Sequence, residues 1–338
     1  MKSLLKELCL INGVSGDEQL VRSAIMEKVK DHCDEMRTDP LGSLICFKKG
    51  KSSGKKLMVC AHMDEVGFII THINSDGTLS FDQVGGIDPS VVIGRQVKVG
   101  NAGIQGVVGS QAVHDLSKEE REAPPKFSGM TIDIGASSKE EAEKYVSPGD
   151  CAYFSSDFLE MGSKIKSKAI DDRAGCAMMI SLMQEDLPFD TYFVFNVQEE
   201  IGLRGSGASA YSVAPDFALV LEATTAADID GVSGGKKVCC LGSGPVVSFM
   251  DRRTIYDREL YRLAFDTAME IGVPCQTKSA VAGGNDAGAI HISGKGVRTL
   301  AVSVPCRYLH SPACVIESAD LESTYALVRE LAGRIPKL

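Results

Sequence analysis

The 338-residue chain carries a formal net charge of −9, with 36 Lys and Arg against 45 Asp and Glu, and is 44% hydrophobic. That length and composition suit roughly two domains with a sizeable core and exclude a collagen-like or disordered chain. The acidic excess, with no dense run of Lys and Arg, excludes nucleic acid as a partner, and no stretch of about 18 apolar residues offers a membrane span.

The chain opens MKSLLKELCLINGVSGDE, an apolar run broken by Lys and Glu that lacks the core and cleavage site of a signal peptide. Leu4, Leu5 and Leu8 share one face of a first helix. Ser15 with Glu18 reads as a capping box for a second, with Val21, Ala24, Ile25 and Val29 inward. Strands are predicted at 44–47 and 57–61. The latter is apolar on both faces and followed at once by polar residues, as in a buried strand whose carboxyl end opens on a site. From 67 to 164 the chain is rich in Val, Ile, Gly and turn signals such as Asn74-Ser75-Asp76-Gly77 and Pro148-Gly149-Asp150. This predicts a small β-barrel-like domain inserted into the first, with one short helix at 139–145 and an exposed charged loop at 117–126.

Helices and strands then alternate. A helix follows Asp172 with Ala174, Met178, Ile180 and Leu182 inward, and strands are predicted at 192–197, 217–221 and 299–304. Thr254 and Asp257 start a helix with Leu260, Leu263, Ala264 and Ala268 on one side, and a last helix runs from about Ala319 with Leu321, Tyr325, Val328 and Leu331 inward. The expected fold is α/β, a central mostly parallel sheet flanked by helices, built from 1–66 and 165–338 around the insert. The 11 cysteines, odd in number and without a CxxC pair, read as buried reduced thiols of a cytoplasmic protein.

Five segments carry chemistry. The strand at 57–61 ends in His62-Met63-Asp64, which offers an imidazole and a carboxylate that can accept its other N–H. Asp171-Asp172 precedes a helix, where Asp172 can cap or brace while Asp171 binds. An apolar strand ends in Glu199-Glu200, and buried unpaired carboxylates are costly enough to imply a cation. A second apolar strand ends in Glu222, and His310 follows a third. Each pattern alone also describes an ordinary strand end or helix cap. At the ends of successive αβ units, however, all five are expected to converge on one rim of the sheet. Two His and three carboxylates suit Zn²⁺, Co²⁺ or Mn²⁺. Five ligands exceed one tetrahedral site, and one bridging carboxylate can serve two cations about 3.5–4 Å apart. His291 reads as a packed or helix-terminal residue, His32 and His72 as ordinary ones, and His114 as a local residue or one that reaches a neighbouring subunit. Gly202–Gly207 lacks dinucleotide or phosphate-loop spacing, and no G-x-S-x-G elbow occurs.

The pieces AHMDEVGF at 61–68, KAIDDRAG at 168–175, VQEEIGLRGS at 197–206, LEATTAADI at 221–229, GGNDAGAIHIS at 283–293 and VPCRYLHSP at 304–312 resemble the M42 metallo-aminopeptidases, in the family's order. The resemblance implies that Asp171 bridges two divalent cations, that His62 and Glu222 complete one site, and that Glu200 and His310 complete the other. Many members have Asp where this chain has Glu222. Asp64 would orient His62, and Glu199 would be the catalytic base. The insert falls where the family has its dimerisation domain, and the resemblance implies homo-oligomers, up to twelve-subunit tetrahedra built from dimers. The implied reaction is release of N-terminal residues from short peptides. A two-metal deacylase or carboxypeptidase, or an inactive assembly protein on the same fold, are the competing readings. Arg252, Arg253 and Lys278 can attract an acidic side chain or stand as ordinary surface charges.

Overall fold

The computed structural model describes residues 1–338, apart from the side chain of Glu120. Helices α1 (Lys2–Leu10) and α2 (Gln19–Val29) precede strands β1 (Glu35–Thr38), β2 (Leu44–Lys48) and β3 (Ser52–His62). A run of β4 (Gly67–Ile73), β5 (Leu79–Val84), β6 (Gln96–Val99), β7 (Ile104–Ser110), β8 (Met130–Asp133) and β9 (Cys151–Phe154) carries the short helices α3 (Lys118–Glu122) and α4 (Lys139–Ala142). There follow β10 (Leu159–Met161), β11 (Lys164–Ser167), α5 (Ile170–Met183), β12 (Phe189–Asn196), α6 (Arg204–Val213), β13 (Phe217–Thr225) and β14 (Val246–Val247). The chain ends with α7 (Arg258–Glu270), β15 (Gln276–Thr277), α8 (Ala287–Ile290), β16 (Arg298–Cys306), β17 (Cys314–Glu317) and α9 (Ser318–Arg334).

The large sheet has the order β1-β2-β12-β3-β13-β16-β14-β15. Its centre, β12, β3, β13 and β16, is parallel, and β2 and β14 join it antiparallel on either side. The period of two in a strand sorts the apolar residues to two faces. Leu57, Val59, Phe193, Phe195, Leu219 and Leu221 fall in the core beneath α5, α7 and α9, with α1 and α2 packed on α5. Met58, Cys60, Val194, Ala218 and Val220 fall in a smaller core beneath α6 and α8. Burial on both faces explains why these strands read as continuous apolar runs.

Strands β4 to β9 close into a barrel of order β4-β5-β8-β7-β6-β9 around Phe68, Phe81, Ile132 and Phe154. Phe68 meets Phe81 and Phe154 edge to face, with ring centroids 5.0 and 5.1 Å apart. The chain between them and α5 does not stay with the barrel: β10 and β11 pair with β17 in a separate three-stranded sheet.

Two expectations are corrected. The segment 117–126 is not wholly loop, since α3 occupies its first half. Ser15 and Glu18 do not form a capping box: α2 starts at Gln19, and its N-terminus receives no side-chain cap bond. The Ser15 hydroxyl donates instead to Asp64 Oδ2 at 2.6 Å. Glu18 Oε1 accepts from the backbone N–H of Gly16 at 2.8 Å and of Gln198 at 3.0 Å. A buried carboxylate is the stronger acceptor for a hydroxyl than a helix end can offer in return.

Candidate functional site

The carboxyl ends of the central parallel strands deliver the site. His62 is the last residue of β3, Glu199 and Glu200 follow β12, Glu222 lies in β13, and His310 lies in the loop after β16. Asp171 enters from the start of α5. His62 Nε2 stands 3.3 Å from Asp171 Oδ1 and 3.8 Å from Glu222 Oε2. His310 Nε2 stands 3.6 Å from Asp171 Oδ2 and 3.3 Å from Glu200 Oε2. One carboxylate therefore faces two imidazoles with its two oxygens, and each imidazole has a further glutamate beside it. The structure brings together all five residues singled out as ligands in the sequence.

Asp64 is fully buried beneath this group. His62 Nδ1 lies 3.0 Å from the Asp64 carbonyl oxygen and 3.4 Å from its Oδ1. The same carboxylate accepts the backbone N–H groups of Glu199 and Glu200, each at 3.1 Å, and the Ser15 hydroxyl. It thus fixes both the ring and the Glu199–Glu200 turn. Burial works against its charge, but the His62 and Ser15 hydrogen bonds keep it below the usual carboxylate range. His310 Nδ1 bonds the Gly86 carbonyl at 2.7 Å, so the segment after β5 helps aim this ring.

The charges are unbalanced as they stand. Burial opposes a charged His62 ring, yet its hydrogen bonds to Asp171 and Asp64 and the Glu222 charge hold its pKa well above normal. His310, also resisted by burial, is pushed up to about 10 by Asp171 and Glu200. Burial raises Glu200 to about 7 and lifts Glu199 and Glu222 well above the carboxylate range. Glu222 Oε1 and Asp172 Oδ2 are buried with no hydrogen-bond partner among the described residues. Ligand atoms of His62, Asp171 and Glu200 converge within 4.8 Å, as do those of His62, Asp172 and Glu222. Unpartnered buried oxygens beside imidazoles are a donor set that divalent cations satisfy, so these residues fit such ions. The second cluster adds Asp172 to the sequence-derived set. Its Oδ1 accepts the Gly175 N–H at 2.9 Å, a brace on α5, while Oδ2 is left without a partner among the described residues.

A cavity of about 470 Å³ opens above these groups. Its floor is His62, Asp171, Glu199, Glu200, Glu222 and His310, and its wall includes Arg253, Lys278 and Asn285. Arg252 is exposed away from that lining. The other histidines stay apart from the cluster. His291 Nδ1 lies 2.8 Å from the Ala287 carbonyl, as a packed helix-end residue should. His114 is exposed beside Asp115, and His72 is exposed.

Several supporting residues were not visible as such in the sequence. Arg173, fully buried, donates to the carbonyls of Met63 at 2.8 Å and Leu8 at 2.6 Å, tying α1 to the turn after β3. Lys168 pairs with buried Glu65, which also accepts the Gly13 N–H at 3.1 Å. Asp17 accepts the Tyr153 hydroxyl from β9, so the 13–18 loop touches both the barrel and the site. Asp286 accepts from Asn196 Nδ2 at 2.8 Å behind β12, and burial raises it to about 6. The Arg and Lys of KAIDDRAG were the one available hint, since basic residues beside an otherwise apolar helix need partners if they are buried.

The family model described as M42 glutamyl aminopeptidase matches residues 42–327. A protein of Acetivibrio thermocellus is 42% identical over 98% of both chains. The lysyl aminopeptidase of Pyrococcus furiosus is 32% identical over 97% of this chain and 95% of its own. The solved TET1 peptidase of Pyrococcus horikoshii, which can assemble into a tetrahedron or a large octahedral shell, is 34% identical, with a TM-score of 0.87 over 98% of both chains. With a match across most of its length, the chain belongs to the M42 glutamyl aminopeptidase family, and it is an aminopeptidase hydrolase.

Proposed function

We propose that this aminopeptidase releases N-terminal residues from short peptides with the help of two divalent cations, Zn²⁺, Co²⁺ or Mn²⁺. The observation that carries the reading is Asp171, whose Oδ1 and Oδ2 lie 3.3 and 3.6 Å from His62 and His310. His62 and Glu222 would hold one ion, Glu200 and His310 the other, and Asp171 would bridge them. The ions supply Lewis-acid polarisation of the scissile carbonyl and a lowered pKa for the attacking water.

The chain's own residues do the rest. Asp64 fixes the tautomer and direction of His62 and holds the Glu199–Glu200 turn by two N–H bonds. Glu199 lines the cavity, and among the described residues its carboxylate makes no hydrogen bond to protein, which supports a role as general base. It would take the proton of the attacking water and deliver it to the leaving amine. The walled cavity holds the first residue near that base.

The barrel would mediate dimers, and dimers would build a larger homo-oligomer of up to twelve subunits. The TET1 relative, which forms a tetrahedron or an octahedral shell, supports this. The cysteines are all unpaired, which fits a cytoplasmic location. No helix is long and apolar enough to cross a membrane among the described residues.

The test is product identity from a tripeptide and its N-acetylated form after loading with Co²⁺. Release of the first residue from the free peptide alone supports the reading. Cleavage of the acetylated form, or release of the last residue, favours the deacylase or carboxypeptidase alternative.

A further inference from the structure

We propose that Cys306 and Cys314, at the two feet of the loop that carries His310, are joined as a disulfide by a peroxide and so switch the aminopeptidase off reversibly. The effect on activity rests on His310 as a metal ligand, the reading above. The thiol chemistry stands apart from it.

Cys306 ends β16 and Cys314 begins β17. Arg307 and Val315 exchange backbone hydrogen bonds at 2.9 and 3.0 Å, an antiparallel bridge at the base of the loop. Each cysteine lies one residue before a member of that bridge. Alternation along the strands therefore puts both thiols on the face opposite Arg307 and Val315. Both are buried in the main core, and the two thiols are hydrogen-bonded to each other. A disulfide needs its sulfurs about 2 Å apart, so thiols already in contact have little distance to cover. Cys314 also lines a small chamber with Asp171, Glu200 and His310, and these three line the large cavity as well. A molecule as small as hydrogen peroxide that enters the site therefore meets Cys314 first.

The Cys314 sulfur attacks one peroxide oxygen, the O–O bond breaks, and the thiol proton leaves with the other oxygen as water, giving a sulfenic acid. The Cys306 sulfur then attacks that of Cys314, and the displaced hydroxide takes the Cys306 proton to leave as a second water. The two thiols lose two electrons and two protons, and the peroxide is reduced to two waters. The loop responds because Cys314 is part of its support. Its sulfur lies 3.6 Å from the Tyr308 carbonyl and 3.5 Å from that of Ser311, on either side of His310. Tyr308 and His310 hold φ of 58° and 57°, a conformation that side chains of this size adopt only under constraint. Oxidation removes the S–H donor and draws the feet of the loop together. His310 then loses its place 3.3 Å from Glu200 and 3.6 Å from Asp171. A second thiol contact, Cys33 with Cys46 between the start of β1 and β2, lies in neither cavity and serves as the internal control.

The test treats the protein with hydrogen peroxide after loading with Zn²⁺, which has no redox chemistry of its own. Remaining thiols are blocked with N-ethylmaleimide, the digest is mapped by mass spectrometry, and release of first residues from mixed tripeptides is measured alongside. The map should show Cys306 joined to Cys314, and activity should fall by about 10-fold or more, the usual cost of losing support behind a metal ligand. Dithiothreitol should restore it. The ratio of treated to untreated activity should stay near one in Cys314→Ser, whatever its basal rate, and should fall in Cys33→Ala as in the wild type. Cys306→Ala should form no cross-link. No Cys306–Cys314 cross-link in the wild type would overturn the inference, and so would a cross-link that leaves activity unchanged. A loss that dithiothreitol does not reverse, or that Cys314→Ser shares, would overturn it too. These results leave the metal reading intact. Reduced protein that is fully active with no metal detectable would instead bring down that reading, and the switch with it.

Discussion

At the scale of single residues, the site works by division of labour between neighbours. Glu199 and Glu200 are adjacent and both raised by burial, yet Glu200 lies 3.3 Å from His310 while Glu199 faces the cavity. Changing Glu199 to Gln should leave the bound metal unchanged by elemental analysis and lower kcat by about 10²–10⁴-fold, the usual weight of a general base. Near-normal turnover would reject the assignment. Ser15 acts one layer out. Its hydroxyl is one of the bonds that hold Asp64, so Ser15→Ala should weaken metal affinity or activity by about 10-fold or more, with Ser15→Thr recovering part of it. Unchanged metal affinity and kcat in the alanine variant would show that the bond is structural only. The five proposed ligands stood out in the sequence only jointly, because each pattern alone also fits an ordinary strand end or helix cap, while five of them at the ends of successive αβ units point to one rim. Ser15 and Glu18 did not stand out, because S-x-x-E is also the capping-box pattern and Asp64 lies far away in sequence.

At the scale of elements, the long buried strands and amphipathic helices could be read from period and turn chemistry. The two-residue strands β14 and β15 could not, since a pattern of two residues has no period. Helix α7 shows local signals agreeing with tertiary ones. Asp257, predicted to help start it, accepts the N–H groups of Glu259 at 2.9 Å and Leu260 at 3.0 Å. It also receives two hydrogen bonds from Arg298 at the head of β16. Those Arg298 bonds lead in holding its pKa below the usual 3.8, against a partial burial that would raise it. Asp257→Asn should cost about 0.5–1 kcal/mol at neutral pH, chiefly the partly exposed ion pair with Arg298, since Asn caps a helix as well as Asp. A folded-state pKa below the unfolded one means that the stabilisation is complete above the unfolded value and fades as pH falls through the folded one. The gap between wild type and variant should therefore close in acid below the ordinary Asp range. A gap of constant size from pH 7 to pH 3 in urea titrations would contradict the assignment.

At the scale of the whole molecule, the parallel sheet gathers residues spread from His62 to His310 onto one rim, and the barrel sends Gly86 to aim the last of them. The 13–18 loop joins both bodies, through Asp17 to Tyr153 and through Ser15 to Asp64. The expectation of assembly beyond one chain came only through kinship, because surfaces that meet a second copy carry no periodic mark. The account stands or falls on whether the acidic and imidazole groups bind a pair of cations through one shared carboxylate. Elemental analysis of wild-type protein and Asp171→Ala after dialysis against Co²⁺ tests this most directly. The expected result is about two ions per wild-type chain and loss of both in the variant, as a bridging ligand requires. Two tightly held ions in Asp171→Ala, or full wild-type activity after exhaustive chelation with no metal detectable, would contradict it.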